Sequence, residues 1–550
     1  MAPCLAKHEA LTMTLPKAVR PEAVTLLASV ILLAVFNLPL WQRLLDVTQA
    51  GGGGLLRTVF LAMVALLFNA ALSVLANRWT LKPVLIALFL LSAGVAYFMN
   101  EYGVLIDAGM FRNVAETDVS EVRGLLSLKL AGYVLGLGVL PSWALWKLPI
   151  HYRRFSHALL STALVVAANA CLIGALAISN YQGLASLLRN HHELRLLVVP
   201  SNVIGATLQY LGEKVQAAEQ PFEPLGADAR LAPAWQTHAR KSLTVLVVGE
   251  SARAENFGIL GYSRDTTPEL AREDGLVAFP DVHSCGTETA VSVPCMFSDM
   301  PRKDYSASVA ANREGLLDVL KHAGLDVLWL DNQSGCKGTC ARVAFSDLSK
   351  AADPTLCAGG ECHDEILLRD LPALLDHLEH DTVVVLHQMG SHGPEYFKRV
   401  PAGFEYFQPV CQSNALNTCS QPSIINAYDN TVRYTDHVLG SLIDLLRSRQ
   451  GDVDTAMVYL SDHGESLGEY NLFLHGTPYM LAPEQQKHVP MLVWLSQSYQ
   501  HDFSLDSQCL QASRARPLSQ DNLFHSMLGL LQVNTQVYDA GLDLFAQCRD

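Results

Sequence analysis

Charged residues are scarce in this sequence. Asp, Glu, Lys and Arg make up 17% of its 550 residues, whereas about 25% is usual for a globular protein. Nearly all of the shortage falls before residue 180, which argues against a wholly soluble chain. Basic residues are in the minority, and the net charge of −14 argues against a nucleic-acid partner, which would favour a basic surface. The length exceeds that of one compact domain, so we expect two or more folding units.

Long stretches without any charge account for the shortage. Each is close to the roughly 20 residues that span a bilayer as a helix. Buried core helices of a soluble protein are the alternative, but five such stretches in a row disfavour it. The first is too long for a signal peptide and lacks a small-residue cleavage site, so we interpret it as an anchor. The predicted spans are residues 23–41, 58–77, 83–100, 130–146 and 158–179.

The loops between these stretches differ in charge, which predicts their orientation. Cytoplasmic loops carry the excess of Lys and Arg, and the loop between the third and fourth spans is acidic instead. We therefore expect a multi-pass protein of the bacterial inner membrane, with the N-terminus in the cytoplasm and everything after residue 180 in the periplasm. The basic residues on the predicted cytoplasmic side are Lys7, Lys17, Arg20, Arg78, Lys82, Lys147, Arg153 and Arg154, and the acidic loop contains Glu101, Asp107, Glu116, Asp118 and Glu121.

Cysteines are nearly absent before residue 280, where only Cys4 and Cys171 occur, and ten follow it. Closely spaced, even-numbered cysteines in an oxidising compartment predict disulfides. A zinc site is the rival, but no two couples form a CxxC…CxxC arrangement. Pairing of Cys509 with Cys548 is left open. The predicted couples are Cys285/Cys295, Cys336/Cys340, Cys357/Cys362 and Cys411/Cys419.

Beyond the spans, the pattern divides the chain into a transmembrane domain (1–182), a segment of amphipathic helix and linker (183–240) and a periplasmic catalytic domain (241–550). The middle segment is either a plain tether or a helix lying on the membrane surface. In the last domain, short apolar runs alternate with helical periodicity at 315–323 and 424–446, which predicts an α/β fold with a mostly parallel sheet. The predicted strands are 243–248, 327–330, 382–386, 456–460 and 489–494.

Candidate metal ligands follow two of these strands. Glu250 comes directly after the first, and Asp462 and His463 follow the strand at 456–460. Ligand chemistry in parallel sheets concentrates at the carboxyl ends of strands, and carboxylate and imidazole groups suit zinc. Taken singly, these residues would more often be a helix cap and a turn. Their occurrence at two strand ends predicts a metal site.

A nucleophile is expected in the string CGTETAVSVPC at 285–295. A disulfide would clamp this short loop, which presents small hydroxyl residues and is expected at the start of a helix. A threonine hydroxyl becomes an effective nucleophile when metal coordination lowers its pKa. On this chemistry alone Thr287, Thr289 and Ser292 are all candidates, and their spacing does not rank them.

The motifs resemble those of the lipid A phosphoethanolamine transferases, a family that includes the mobile colistin-resistance enzymes. The resemblance rests on Glu250-Ser251, the CGTxTxxSxPCMFS string, Ser391-His392-Gly393-Pro394 and the DHGESLGE string at 462–469, and it covers essentially the whole chain. It implies a five-helix transmembrane domain followed by an α/β periplasmic domain of the alkaline phosphatase/sulfatase-like type. It also implies one firmly bound zinc, with a second during turnover left open.

Residue roles follow from the same resemblance. Thr289 matches the nucleophile, and Glu250, Thr289, Asp462 and His463 match the zinc site. Other positions match substrate-binding residues, which otherwise would be taken as ordinary surface or loop residues: Asn113, Thr117, Glu121, Lys337, His392 and His475. The first three of these recur every four residues, along one face of a helix.

The implied reaction moves phosphoethanolamine from phosphatidylethanolamine to a phosphate of lipid A through a phosphoethanolamine-threonine intermediate. Less negative lipid A would bind polymyxins such as colistin less well. We expect a membrane-embedded monomer. The alternatives are transfer to a core sugar (Kdo or heptose), phosphoglycerol transfer, and a catalytically dead lipopolysaccharide receptor, which the intact motifs disfavour.

Overall fold

The computed structural model describes residues 18–48, 53–116, 122 and 124–549. Lys7, Lys17, Thr117 and Glu121 lie outside these residues. The chain divides into two compact units, Met1–Tyr97 with Leu128–Asn202 and Phe98–Ser127 with Val203–Asp550. The boundary after Asn202 lies between the predicted boundaries 182 and 240, and Phe98–Ser127, which contains the acidic loop after the third span, groups with the second unit.

Helices dominate the first unit. Within the described residues, four are long and apolar enough to cross a membrane, and a bent pair would make a fifth. The four lie close to the predicted spans, and outward-facing side chains such as Leu159, Leu164 and Ile178 are more than half exposed, as expected for a surface that faces lipid. The long helices are Gly54–Val74, Leu81–Tyr102, Leu128–Lys147 and Phe155–Ser179, and the bent pair is Pro21–Phe36 with Leu38–Thr48.

The first predicted span, 23–41, is not one straight helix: it bends by 72° between Phe36 and Leu38. Pro39 cannot donate a backbone hydrogen bond and disfavours helical geometry at the residue before it. The Asn37 side chain stabilises the break, because its Nδ2 donates to Leu32 O (2.8 Å) and to Val199 O (3.0 Å). Its Oδ1 accepts from Val199 N at 2.7 Å.

The fourth span contains a π-helical turn, Val134–Val139, between Leu128–Tyr133 and Leu140–Lys147. After the fifth span the chain forms two short helices, Tyr181–Asn190 and the 3₁₀ helix His192–Leu197, before the longer helix Ser201–Glu219. The helical part of the predicted amphipathic segment and linker (183–240) is thus divided among three helices. Its placement on a membrane surface stays a prediction.

A seven-stranded sheet forms the centre of the second unit. Its strands are β1 (Lys241–Gly249), β2 (Val277–Phe279), β3 (Asp326–Asp331), β4 (Ala344–Asp347), β5 (Thr382–His387), β6 (Val453–Ser461) and β7 (Met491–Leu495). They lie in the order β2-β7-β6-β1-β5-β3-β4. The pairs from β6 to β4 are parallel, and β7 is antiparallel to both neighbours. The predicted, mostly parallel α/β sheet is confirmed.

Both faces of this sheet are buried, which explains why its strands are apolar at nearly every position. Along β1, Val245 and Val247 pack on one side, whereas Leu246 and Val248 pack on the other. Helix Gln421–Ser448 covers the first side, and helices Leu316–His322 and Asp521–Leu530 cover the second. The other α-helices of this unit among the described residues, apart from Ser201–Glu219, are Ala108–Glu116, Ala234–Thr237, Thr289–Met296, Ala307–Ala310, Leu371–Asp376, Gln497–Asp502 and Ser507–Ser513.

Disulfides secure the loops of the second unit. Cys509 and Cys548, left open by the sequence, are bonded to each other. Of the cysteines that the structure describes, Cys171 is free. The four predicted couples are all bonded, and they are Cys285–Cys295, Cys336–Cys340, Cys357–Cys362 and Cys411–Cys419.

Short two-residue ladders add to these crosslinks. They pair Arg230–Leu231 with Val533–Asn534, Val282–His283 with Leu518–Ser519, Cys357–Ala358 with Glu361–Cys362, and Ser466–Leu467 with Phe473–Leu474.

Candidate active site

Four neighbouring strand ends converge at the carboxyl edge of the sheet. Gly249 at the end of β1 is paired with Ser461 at the end of β6, so Glu250 and Asp462 emerge side by side. On the other side of β1, His387 ends β5 and is paired with Asp331 at the end of β3. Parallel register therefore brings together side chains that are more than 200 residues apart in sequence.

Glu250, Asp462 and His463 form a buried cluster, which we call the carboxyl-end cluster. All three are 0% exposed, and their ligand atoms lie within 4.8 Å of one another. His463 Nε2 is 3.4 Å from Glu250 Oε1 and 3.4 Å from Asp462 Oδ2. His463 Nδ1 lies 2.8 Å from Gly464 O and must donate to it, because a carbonyl only accepts. Nε2 is thereby assigned the lone pair that a metal requires.

Two observations indicate that this cluster suits a cation. Asp462 Oδ1 accepts from the backbone N–H groups of Ser251 and His463, but its buried Oδ2 accepts no hydrogen bond from any residue that the structure describes. A buried acceptor without a partner is costly. Within the described residues, the ion pairs of Glu250 and Asp462 are with His463, and none is with a Lys or Arg.

The electrostatics of the two carboxyl groups differ. Burial raises the pKa of Glu250, but the imidazoles of His463, His392 and His475, which are charged at the acidic pH where this carboxyl group titrates, outweigh it and lower the pKa to about 2. Burial and the neighbouring Glu250 raise the pKa of Asp462 to about 6. Asp462 thus ionises less readily beside the charged Glu250, as expected for two adjacent like charges.

Glycines allow the tight backbone turns behind this cluster. A Cβ at Gly464 would overlap the carbonyl oxygen of Gln485, so the turn after Asp462-His463 requires glycine. Gly390, with φ +51°, lies against the backbone of Glu250, where a Cβ would be 2.7 Å from the carbonyl oxygen.

Thr289 is the first residue of helix Thr289–Met296, as the sequence suggested for this loop. Its Oγ1 donates to Glu250 Oε2 at 3.0 Å and lies 3.2 Å from His463 Nε2. The hydroxyl of Thr287 is engaged by Glu288 and Thr477, and that of Ser292 donates to Glu288 O. Of these three hydroxyls, that of Thr289 is the one that hydrogen-bonds to the carboxyl-end cluster.

The disulfide beside Thr289 corrects the expectation of a clamped loop. Cys295 lies inside helix Thr289–Met296 and not in a loop. The helical turns from Thr289 bring Cys295 back toward Cys285, so that their Cα atoms are 6.1 Å apart. The bond therefore ties the buried helix to the segment that precedes it.

A second group of titratable residues lies beside Thr289. His463, Glu465 and His475 have ligand atoms within 4.8 Å of one another, and the His475 ring is 4.5 Å from that of His463. Glu465 Oε2 lies 3.0 Å from His475 Nδ1, and Oε1 accepts from Tyr396 Oη at 2.9 Å. His392, whose ring is 5.6 Å from that of His475, completes the group.

These two histidines differ in charge. Burial lowers the pKa of His475, but Glu465 and the other carboxylates outweigh it and raise the pKa to about 9. Burial lowers the pKa of His392 to about 4. At neutral pH His475 is therefore a cation suited to a phosphate, whereas His392 is a neutral imidazole.

Lys337 lies in the loop closed by the Cys336–Cys340 disulfide and has a positive φ of 51°. Its Nζ donates to the carbonyl and hydroxyl oxygens of Ser334 at 3.2 and 2.7 Å. Lys337 also lines a cavity whose wall includes Ala290 and Pro294 of the Thr289 helix. The disulfide loop thus borders the cavity beside the Thr289 helix.

The segment 98–127 adds helix Ala108–Glu116, which packs against helix Thr289–Met296. A Cβ at Gly109 would overlap the Glu288 carboxylate, so the two helices meet closely. Asn113 lies on this helix and is partly buried. The rest of the predicted Asn/Thr/Glu headgroup site, Thr117 and Glu121, lies outside the described residues.

One residue holds both ends of this segment. Asn414 Nδ2 donates to Gly124 O (2.8 Å) and Leu126 O (3.0 Å), and Asn414 O accepts from Tyr102 Oη at 3.1 Å. Asn414 itself lies within the loop that the Cys411–Cys419 disulfide closes.

Sequence reasoning missed several polar residues of the site. Gln333 donates through Nε2 to Glu250 Oε2 at 2.9 Å, and Gln520 ties the Thr289 loop to the end of β6 through Cys285 N and Asp462 O. Gln333 follows β3 by two residues, so the strand-end rule applied to that strand would have found it. Glu465 lay inside a quoted motif but was assigned no role. No local signal marks Gln520.

Comparison with known proteins identifies related families. Residues 64–215 match the family described as "Phosphoethanolamine transferase EptA/EptB", and residues 242–533 match "Sulfatase". Phosphoethanolamine transferase EptA of Salmonella typhimurium is 43% identical over 506 residues, covering 89% of this chain and 90% of that protein. Phosphatidylethanolamine transferase Mcr-2 of Escherichia coli is 36% identical over 490 residues, covering 86% and 90%.

Among solved structures, the chain is similar to the integral membrane protein lipooligosaccharide phosphoethanolamine transferase A (EptA) from Neisseria meningitidis. The TM-score is 0.93 at 35% sequence identity, and the match covers 97% of this chain and 99% of that one. The similarity therefore extends over the membrane helices as well as the sheet domain.

Proposed function

This chain belongs to the phosphoethanolamine transferase family of EptA and EptB, and from that membership we propose that it transfers phosphoethanolamine from phosphatidylethanolamine to a phosphate of lipid A. The observation that supports a threonine intermediate is the Thr289 hydroxyl, which lies 3.0 Å from Glu250 Oε2 and 3.2 Å from His463 Nε2. We place the protein in the inner membrane with its catalytic unit in the periplasm, the N-terminus in the cytoplasm, and the enzyme acting as a monomer.

Zinc is the proposed cofactor, held by Glu250, Asp462, His463 and Thr289. When bound, it would supply a Lewis acid that lowers the pKa of the threonine hydroxyl and offsets negative charge on the transferring group. The unsatisfied Oδ2 of Asp462 and the lone pair of His463 Nε2 support the fit. A second zinc near Glu465 and His475 belongs to the same proposal.

In the first step, Thr289 Oγ1 attacks the phosphorus of phosphatidylethanolamine. The bond between oxygen and phosphorus forms, the bond to the diacylglycerol oxygen breaks, and that oxygen leaves with a proton as diacylglycerol. The hydrogen bond to Glu250 Oε2 holds the Thr289 proton on the side of that carboxylate. Neutral His392 is the candidate base for this proton.

In the second step, an oxygen of the acceptor phosphate attacks the phosphorus carried by Thr289. The bond to Oγ1 breaks, and the threonine hydroxyl regains a proton. Protonated His475 can donate to a phosphate oxygen in both steps, and the backbone N–H groups at the start of helix Thr289–Met296 favour the same negative charge. Asn113, Thr117, Glu121 and Lys337 are proposed to hold the substrate.

The product carries a new ammonium group, so modified lipid A presents less negative charge. Cationic peptides such as polymyxins should then bind the cell surface less well. Colistin resistance is the cellular effect that we propose.

The test uses purified full-length enzyme and phosphatidylethanolamine labelled in its headgroup. We expect mass spectrometry to find phosphoethanolamine on the peptide containing Thr289, and label to pass to lipid A when it is added. Thr289→Ala should abolish both signals, whereas Ser292→Ala, a control on the same helix, should retain them.

Other outcomes would refute specific parts of the proposal. An adduct on Thr287 or Ser292 would refute the nucleophile. Label on Kdo or heptose in place of a lipid A phosphate would change the acceptor, and transfer from phosphatidylglycerol alone would change the donor. Metal analysis of the same sample checks for zinc.

A further inference from the structure

A cavity of about 430 Å³ opens beside the helix that begins with Thr289. Ala290 and Pro294 of that helix form part of its wall, and Lys337 lines it as well. The other walls come from helix Ser201–Glu219, from Arg112 and from the chain around residues 305–315. A group bound in this cavity would lie against the helix that begins with the proposed nucleophile.

The charge of this cavity is opposite to that of the whole chain. The protein has a net charge of −14, yet five of the residues that line the cavity are basic and two are acidic. The acidic residues are Glu213 and Glu314. The basic residues are Arg112, Lys214, Arg313, Lys337 and Arg342.

Carboxylates behind the walls hold the arginines in place. Arg342 donates through Nε and Nη2 to the two oxygens of Asp318, at 2.7 Å each, and Arg313 pairs with Asp299 at 3.0 Å. Arg112 pairs with Glu213. A guanidinium has more N–H donors than such a pair uses, so each arginine is oriented and still able to bind an anion.

The remaining lining suits a sugar as well as a phosphate. Tyr210 and Tyr305 contribute rings with a polar tip, and Lys214 Nζ lies 5.4 Å from the centre of the Tyr210 ring. Glu213 and Glu314 offer acceptors for hydroxyl or amino groups. An anionic, hydroxyl-rich headgroup matches this combination of side chains.

The donor matches it poorly. The headgroup of phosphatidylethanolamine carries an ammonium beside its single phosphate, and the excess of basic over acidic residues in the lining disfavours that ammonium. The acceptor in the proposed reaction is a phosphate on a sugar headgroup, which carries no ammonium before the transfer. Charge complementarity therefore favours the acceptor over the donor.

We infer that this cavity is the acceptor site, and that it binds the phosphorylated sugar headgroup while one phosphate oxygen attacks the phosphorus on Thr289. In that step the new bond joins the acceptor oxygen to phosphorus, the bond from phosphorus to Thr289 Oγ1 breaks, and Oγ1 regains a proton. The inference rests on the proposed function, because it assigns a place to that reaction's second substrate.

The two half-reactions can be measured separately, which makes the inference testable. Full-length enzyme in neutral detergent is first loaded with labelled phosphatidylethanolamine in the absence of acceptor, and label on Thr289 is followed with time. Loaded enzyme is then discharged with purified lipid A at several concentrations. The variants are Lys214→Glu, whose side chain lies on an exposed helix surface, and Arg112→Gln.

We expect Thr289 to load within roughly twofold of the wild-type rate, whereas the apparent KM for lipid A in the discharge step rises about tenfold or more. Lys214→Arg should restore the wild-type KM because it keeps the charge. The matched control is Lys303→Glu, at a lysine 77% exposed outside the cavity, and it should change neither step.

An unchanged KM for lipid A in both variants would overturn the inference while leaving the proposed function intact. Loading that falls by the same factor as discharge would also overturn it, because the residues would then act on the donor or on folding. If wild-type enzyme never carries label on Thr289, the proposed function fails, and the acceptor site fails with it.

Discussion

Two clusters of one histidine and two carboxylates lie at opposite ends of β1 and β6. The carboxyl-end cluster contains Glu250, Asp462 and His463. The second, which we call the amino-end cluster, contains His238, Asp454 and Asp502, and its ligand atoms also lie within 4.8 Å of one another. Judged by residue type and spacing alone, both clusters could hold a metal.

A resident arginine distinguishes them. Arg240 donates to Asp454 Oδ1 at 3.0 Å and to Asp502 Oδ2 at 2.8 Å, and the other two carboxylate oxygens face His238 at 2.5 Å and His501 at 2.7 Å. Every oxygen of the amino-end cluster therefore has a partner. The carboxyl-end cluster has no such cation and leaves Asp462 Oδ2 unsatisfied among the described residues. The amino-end cluster therefore stabilises the fold, whereas the carboxyl-end cluster is suited to an external cation.

The largest expected contrast is in activity. Asp462→Asn removes one negative charge and one proposed metal ligand, so we expect transfer to lipid A to fall by at least about a hundredfold. In the presence of a chelator, the thermal midpoint should stay equal or rise, because Glu250 no longer faces a like charge. Retained activity would contradict the metal site.

Asp454→Asn should have the opposite effect. It weakens a buried carboxylate's ion pair with Arg240 and its contact with His238, so we expect the free energy of unfolding to fall by about 2–3 kcal/mol. Activity per folded molecule should be retained. Denaturant unfolding checks the first expectation, with the exposed neighbour Asp452→Asn as control. Loss of activity without loss of stability would show that the amino-end cluster has a chemical role.

The contributions of the two clusters to the stability of the fold should also change with pH in opposite directions. The folded-state pKa of Asp462 is raised to about 6, so its contribution to stability is present below its usual value of 3.8 and is lost as pH rises through 6. Burial by itself raises the pKa of Asp502, but the hydrogen bond from His501 and the charge of Arg240 lower it. Its contribution is therefore present above pH 3.8 and is lost as pH falls further.

Thermal unfolding of chelated protein between pH 3 and 8 tests this difference. In the wild type, the thermal midpoint should fall as pH rises from about 4 to 6, and Asp462→Asn should make this fall smaller. The midpoint should also fall as pH drops below about 4, and Asp502→Asn should make that fall smaller. If Asp462→Asn changed only the fall below pH 4, or Asp502→Asn only the fall between pH 4 and 6, the assignment of charges would be wrong.

The smallest expected effect is a gain of metal binding. Zinc at about 100 times its Kd should stabilise the wild type by about 2.7 kcal/mol, and Asp462→Asn should lose this response. Arg240→Met leaves the amino-end carboxylates without their cation. Combined with Asp462→Asn, it should regain a smaller zinc-dependent rise in thermal midpoint. No gain would mean that missing charge alone does not make this cluster a metal site.

The strand ends were predictable from the sequence for a simple physical reason. A buried parallel strand is apolar along its length, so the first polar residues after it, Glu250 and Asp462, mark its carboxyl end. Short sequence separations likewise predicted the disulfide partners of the cysteines in the four close couples. These signals are local, and the family resemblance added the residue roles.

Contacts between distant residues were not predictable. The bend at Asn37 depends on hydrogen bonds to Val199, and the hold on segment 98–127 depends on Asn414, about 290 residues away. Thr289 was chosen over Thr287 and Ser292 by resemblance, and its contacts with Glu250 and His463 arise only from tertiary packing. The acceptor cavity, too, is formed by five separate stretches of chain.

The order of the disulfides has a consequence for biogenesis. Among the described residues, each of the ten bonded cysteines pairs with its nearest bonded neighbour along the chain. The pairs are 285–295, 336–340, 357–362, 411–419 and 509–548. A polypeptide exported from its amino-terminal side would present each cysteine's partner as the next to emerge. An oxidase acting in order of emergence would then form every native bond, and a disulfide isomerase would be dispensable for maturation.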